Sequence, residues 1–174
     1  MAPGREFIRL AKVLTVSDGV VAGTREDTAG QQLSARLVEA GFAVVDTRSV
    51  ADGVASVAGA LTSMAAGFAG LIVTTGGTGF SARDLTPEAT LAVIDREAPG
   101  LAEAMRAVNP LGRLSRSRAG TIGASLVINT PGSPRGALEN LEAVRDVLPH
   151  ALDLLSSADA PHPPDTGGRT ATSS

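Results

Sequence analysis

The 174-residue chain has no cysteine, no tryptophan and no tyrosine. Without cysteine there is no disulfide, no thiolate metal site and no thiol nucleophile. Histidine is nearly as scarce, with only His150 and His162, the second in a Pro/Gly-rich stretch near the end. Ser-His-Asp catalysis and histidine-based metal sites are therefore not expected. Aromatic residues make up 2% of the chain, so the stacking platforms of single-strand nucleic-acid binders are missing. A net charge of −3 and a pI near 5.3 supply no basic field for nucleic acid or anionic lipid. No apolar run approaches the about 20 residues of a membrane span. The opening residues carry Pro3, Gly4, Arg5 and Glu6 but no long apolar stretch, which is unlike a secretory signal. Together these absences point to a cytoplasmic protein with neither a nucleic-acid nor a membrane partner.

What is present is aliphatic. Hydrophobic residues are 43% of the chain, so the core has to be Val, Leu, Ile and Ala, as in parallel sheets buried between helices. Residues 1–6 read as a loose leader, 7–157 as one domain, and 158–174, rich in Pro, Gly, Ser and Thr, as a disordered tail. Strands are expected at 8–16, 42–50, 71–75, 119–122 and 125–128. One helix should bury Leu33, Leu37 and Val38, and a second Val54, Val57, Leu61, Met64 and Ala65. Helical signal returns at 87–97 and 99–108, and a last helix spans 135–155 with Pro149 kinking or splitting it. The turn Gly123-Ala124 is too short for a crossover, so one strand there is antiparallel. The fold class is α/β, a three-layer α/β/α sandwich with a mixed, mainly parallel sheet.

One stretch organises the rest. The apolar run from Leu71 passes through Thr75 into Gly76-Gly77-Thr78-Gly79. A helix-start signal follows, with Thr86 as N-cap, Pro87 at the first helical position and Glu88 in the first turn. Strand, glycine-rich turn and helix suit a phosphate-binding loop, because glycine lets backbone N–H groups approach an anion. A helix N-terminus adds partial positive charge where it points at the ligand. The loop lacks the Lys-Ser/Thr of a P-loop and the spacing of the dinucleotide fingerprint. Asp84 stands in the middle of it, where phosphates would repel a carboxylate unless it holds a cation such as Mg²⁺.

In parallel sheets ligands bind beyond the carboxyl ends of the strands. Four loops there carry Ser17 and Asp18, then Asp52, then the glycine loop with Asp84, then Asn129-Thr130-Pro131-Gly132-Ser133-Pro134. Each also has a plain structural explanation. Asp84 and Asp52 suit turns, and Asp18 and Asp27 suit turn and cap positions. The segment from Arg113 to Arg118 is either a solvated face or a set of phosphate contacts. Pro131 to Pro134 is either turn chemistry or an anion nest. His150, between Leu148 and Leu152, is read as packed.

These motifs resemble the Mog/MoaB family of molybdenum-cofactor biosynthesis proteins. The resemblance rests on Val16-Ser17-Asp18 with Gly23, Asp27 and Gly30, and on Thr75-Gly76-Gly77-Thr78-Gly79 with Arg83-Asp84-Leu85-Thr86-Pro87-Glu88-Ala89. Arg96-Glu97-Ala98-Pro99-Gly100, Leu114-Ser115-Arg116 and the Asn129–Pro134 loop extend it over about residues 10 to 155. The chain departs from the family pattern at Gly53, where a second acidic residue is common, and at Thr28 and Ala82.

The resemblance implies a molybdopterin-binding-domain fold and a molybdopterin adenylyltransferase. Such an enzyme transfers AMP from MgATP to the terminal phosphate of molybdopterin and releases pyrophosphate. It implies Asp84 and Asp52 as catalytic residues, with Asp84 also the Mg²⁺ ligand. Substrate contacts fall at Ser17, Asp18, Thr75, Gly76, Gly77, Thr78, Gly79, Ser115, Arg116, Pro131, Gly132 and Ser133. It further implies a homotrimer or homohexamer that hands its product to a molybdate-inserting enzyme. The alternatives are a non-catalytic MoaB-type molybdopterin-binding protein, or a nucleotide pyrophosphatase like the same domain in competence-damage-type proteins.

Overall fold

The structure, a computed structural model, describes residues 9–157. The expected leader at 1–6 and tail at 158–174 lie outside the described residues. Within them the chain runs β1 (Arg9–Val16), α1 (Asp18–Val21), α2 (Thr28–Glu39), β2 (Phe42–Val50), α3 (Val54–Ala65), β3 (Gly70–Thr75) and α4 (Thr86–Leu91). It continues with β4 (Arg96–Glu97), α5 (Pro99–Ala107), a 3₁₀ turn (Pro110–Leu114), β5 (Ala119–Ile122), β6 (Ser125–Thr130), α6 (Pro134–Val144) and α7 (Leu148–Ser156).

The six strands form one sheet in the order β2-β1-β3-β6-β5-β4. β2, β1, β3 and β6 are mutually parallel. β5 runs against both β6 and β4, which makes it the single reversed strand. The period-2 alternation of a strand sends successive side chains to opposite faces, and both faces here are covered. Ala11, Val13, Leu71, Val73, Leu126 and Ile128 face one side and pack with Leu33, Leu37, Met105, Leu141, Leu148 and Leu152 of α2, α5, α6 and α7. Leu14, Val16, Ile72 and Val127 face the other side and pack with Val57, Leu61 and Met64 of α3 and Ala89 of α4. This is the expected α/β/α sandwich with its mixed sheet.

Several local expectations change. Val38 and Val54 are 58% and 40% exposed, because each lies at the margin of its helix's apolar stripe. His150 is exposed on α7, so it is not a packed histidine. Of the two outcomes expected at Pro149, splitting is the one found: the C-terminal helix is two, with Pro149 in the first turn of α7, where a missing N–H costs nothing. The helix expected to reach Glu97 stops at Leu91, and Arg96–Glu97 instead adds a two-residue edge strand to β5. Among the described residues no helix is long and apolar enough to cross a membrane.

Candidate active site

Four parallel strands that lie side by side deliver their C-terminal loops to one edge, and the register keeps those ends level. Thr15 pairs with Thr75, Thr75 with Thr130, and Val16 with Val50. The loops enclose an open cleft of about 1060 Å³ lined by Ser17, Asp27, Asp52, Thr75, Gly76, Gly77, Thr78, Gly79, Asp84, Ser115, Pro131, Gly132 and Ser133, among others. Asp18 and Arg116, expected as substrate contacts, are not in that lining.

The floor of the cleft is pinned by hydrogen bonds. Gly76 donates its N–H to Thr130 O (3.1 Å) and accepts from Thr86 Oγ1 (2.9 Å). It has φ +100°, and a Cβ there would collide with the Val16 carbonyl oxygen, so only glycine fits. Thr75 Oγ1 donates to Pro131 O (2.7 Å), and Thr130 Oγ1 to Thr74 O (2.8 Å). Asn129 Nδ2 donates to both Thr74 Oγ1 (3.1 Å) and Thr90 Oγ1 (3.0 Å). Thr86 is thus not the N-cap expected from sequence. It is the first helical residue of α4 and fully buried, and its hydroxyl ties the glycine loop to that helix.

Beyond Gly76 the loop is open. Among the described residues no acceptor takes the N–H of Gly77, Thr78 or Gly79, which leaves consecutive donors of the kind that cradle phosphate oxygens. Six residues of loop separate Gly79 from α4, which itself has only six residues. The backbone amides, not a helix dipole, are therefore the loop's anion-binding asset. Ser17 caps α1 by accepting from Val20 N (3.2 Å), which leaves its own hydroxyl proton for another partner. Ser133 caps α6 in the same way through Gly136 N (3.2 Å).

The two expected catalytic carboxylates are each held by one oxygen. Asp84 Oδ2 accepts from Ser81 N (3.0 Å) and lies beside Gly79. Asp52 Oδ2 accepts from Asp18 N (3.0 Å), and Asp52 Oδ1 sits 3.2 Å from where a Cβ on Gly77 would stand. Both residues line the cleft. Among the described residues no group of three or more His, Cys, Asp or Glu side chains could hold a metal by itself. Two separate carboxylates still fit a hard cation such as Mg²⁺, which keeps waters and phosphate oxygens in its shell and needs few protein ligands.

Arg83 and Arg116 are both engaged within the protein. Arg116 Nε donates to Gly79 O (2.8 Å) and Nη2 to Asp84 O (2.6 Å), while Nη1 pairs with Glu88. That guanidinium lowers the pKa of the Glu88 carboxyl from its ordinary value. Arg83 forks onto Asp18, with Nε to Oδ2 at 2.6 Å and Nη2 to Oδ1 at 2.9 Å, and Nη2 also reaches Asp52 O at 2.8 Å. It lowers the pKa of Asp18. Sequence reasoning quoted Arg83 without giving it a task, because pairing across 65 positions leaves no local signal. Asp27 keeps its cap reading: it accepts from Gly30 N (3.0 Å) at the start of α2 and from Thr15 Oγ1 (2.9 Å).

A mainly parallel sheet thus gathers a glycine loop and separate aspartates at one edge of a three-layer α/β/α domain. The model of the probable molybdopterin-binding domain matches residues 12–150, and the chain belongs to that family. The crystal structure of the molybdopterin biosynthesis enzyme MoaB from Thermus thermophilus is similar to it at 44% identity and a TM-score of 0.82, covering 86% of this chain and 98% of that one. A molybdenum cofactor biosynthesis bifunctional protein of Synechococcus elongatus is 36% identical over 153 residues, 86% of this chain and 48% of that protein. A molybdopterin adenylyltransferase of Helicobacter pylori is 47% identical over 89 residues, 49% of this chain and 51% of its own. The chain thus spans about half the length of the curated relatives it matches.

Proposed function

We propose that the chain is a molybdopterin adenylyltransferase of molybdenum-cofactor biosynthesis. A terminal phosphate oxygen of molybdopterin attacks the α-phosphorus of ATP. The new P–O bond joins AMP to the pterin phosphate, and the bond to the bridging oxygen breaks to release pyrophosphate. The observation that carries this reading is the glycine loop with unclaimed amides at Gly77, Thr78 and Gly79, flanked by Asp52 and Asp84 in one cleft. The amides orient phosphate oxygens, and Ser17 and Ser133 offer hydroxyls near them. No strong base is required, because a phosphate monoester is already ionised at neutral pH, which suits a cleft without histidine. Asp84 and Asp52 would hold Mg²⁺, which neutralises charge on the attacking and leaving oxygens.

Asp18 and Arg116 are left out of the substrate contacts here, since their polar groups are engaged within the protein. Assembly as a homotrimer or homohexamer, cytoplasmic location and product hand-over to a molybdate-inserting enzyme belong to the same proposal. Sedimentation of the purified chain separates trimer from hexamer.

The test is an assay with molybdopterin, ATP and Mg²⁺ that follows adenylylated pterin and pyrophosphate separately from pterin binding. Equal yields of the two products support the proposal. In Asp84→Ala the rate should drop by at least about 100-fold, since even groups that only orient metal ligands cost about 10–100-fold. Pterin binding without turnover would replace it with the non-catalytic MoaB-type reading. AMP release without pterin would replace it with the pyrophosphatase.

A further inference from the structure

Arg83, Asp18 and Asp52 form a closed ring of contacts between three loops. Asp18 N donates to Asp52 Oδ2 (3.0 Å), and Asp52 N donates back to Asp18 Oδ1 (3.1 Å). Each aspartate therefore fixes the other's backbone, and each spends one carboxylate oxygen doing so. Arg83 closes the ring with both fork positions on Asp18 and a third bond to the Asp52 carbonyl. The roles of the two carboxylates differ. Both Asp18 oxygens are taken by the guanidinium, whereas Asp52 keeps Oδ1 unclaimed beside Gly77. Gly53 has φ +126°, and Ser56 Oγ donates locally to Ala51 O (2.6 Å) and Gly53 O (3.1 Å); the ring adds a tie from across the sheet edge.

We propose that Arg83 and Asp18 are positioning residues that hold the Asp52 carboxylate with one oxygen aimed at the glycine loop. This rests on the adenylyltransferase reading for what Asp52 then contacts, namely substrate phosphate or its cation. Arg83 cancels the charge of Asp18, so the aim of Asp52 is fixed without adding a further uncompensated anion to Asp52 and Asp84. A bidentate guanidinium–carboxylate fork is directional in a way that an ammonium is not. Lysine at position 83 should therefore restore charge but not aim.

The experiment compares Asp18→Asn, Arg83→Gln, Arg83→Lys and Asp52→Asn with the doubles Asp18→Asn/Asp52→Asn and Arg83→Gln/Asp52→Asn. Readouts are kcat and KM for ATP, thermal melting, and calorimetric binding of MgATP without pterin. Asp18→Asn and Arg83→Gln should each lower kcat by about 10–100-fold, the usual cost of losing a group that orients a metal or phosphate ligand. KM should stay within about threefold. Arg83→Lys should recover little of the loss. In the Asp52→Asn background neither substitution should cost anything further, because residues acting as one unit are non-additive. Full additivity, full activity of Arg83→Lys, or unchanged kcat in the single variants overturns the inference. If the wild-type chain transfers no AMP, the adenylyltransferase reading fails on its own. The ring is then judged by MgATP affinity in the same variants, where non-additivity with Asp52→Asn supports it and additivity overturns it.

Discussion

The floor and the rim of the cleft are built differently. At the floor, Thr74, Thr75, Gly76, Asn129, Thr130 and Thr86 are buried, and their hydrogen bonds tie β3, β6 and α4 together. At the rim, the 3₁₀ turn Pro110–Leu114 exposes Leu111 (71%) and Leu114 (56%). It is held mainly by its own local bonds, Leu111 N to Asn109 Oδ1 (2.9 Å) and Arg113 Nε to Pro110 O (3.1 Å). One longer tie runs from Asn109 Nδ2 to Glu139 Oε2 (3.3 Å). A buried polar network is stiff because every broken bond leaves an unsolvated group. An exposed turn with local bonds re-forms its contacts with water at little cost. Under the proposed function, the stiff floor suits the geometry-sensitive phosphate chemistry and the exposed rim suits contact with an apolar ring face.

The largest effect that tests this contrast is Gly76→Ala. A side chain at φ +100° meets the Val16 carbonyl oxygen on β1, which is backbone within the sheet and cannot swing aside. The loss should exceed about 3 kcal/mol in urea unfolding, and a near-normal midpoint would mean that the floor is not rigid. Next is Thr86→Val, which keeps the shape but leaves the Gly76 carbonyl without its buried donor. It should cost about 1–3 kcal/mol, and Thr86→Ser should recover most of that. At the rim, Leu111→Ser should change stability by less than about 0.5 kcal/mol. It should still raise KM for one substrate by roughly fivefold with kcat unchanged, the pattern of lost uniform binding. An equal fall in kcat would assign the rim to the chemistry.

The smallest effect is on acid stability. Arg83 lowers the pKa of Asp18, and Arg116 lowers that of Glu88. The unfolded chain therefore binds more protons than the folded one as pH falls. The stabilisation is fully present above the ordinary carboxylate values of 3.8 and 4.5 and is lost as pH drops through the lower folded values. Both pairs are solvent-exposed, so the slope should be shallow. Melting curves from pH 7 to pH 3 for the wild type and Glu88→Gln should converge at the acid end. Parallel curves would show that the Glu88 pair contributes nothing.

Much of this was legible in the chain because it depends on local pattern. Short aliphatic runs marked β1, β3 and β6. Proline marked the starts of α4, α5, α6 and α7, and Gly76-Gly77 marked the turn. The β4 strand was illegible because two exposed residues, Arg96 and Glu97, carry no periodicity, and only pairing with β5 makes them a strand. Thr86 was misread as a cap because Thr-Pro-Glu is a valid cap sequence. Its hydroxyl found a buried carbonyl ten residues back that no local rule contains. The bonds of Arg116 to Gly79 O and Asp84 O were illegible for a similar reason, since an arginine beside an anion loop has the same one-letter pattern whether it binds the ligand or the loop.

The chain alone determined the α/β alternation, the aliphatic core, the lack of thiols, and the glycine loop with its aspartate. Those properties follow from residue type and short-range spacing, which folding carries over unchanged. Tertiary structure alone decided which polar groups remain unclaimed. Asp18 and Asp52 stand 34 positions apart and look alike in sequence, yet the guanidinium of Arg83 takes both oxygens of the first and leaves one on the second. A hydrogen-bonding group can be aimed at a ligand only when nothing closer in space has taken it, and closeness in space is set by the order of strands in the sheet.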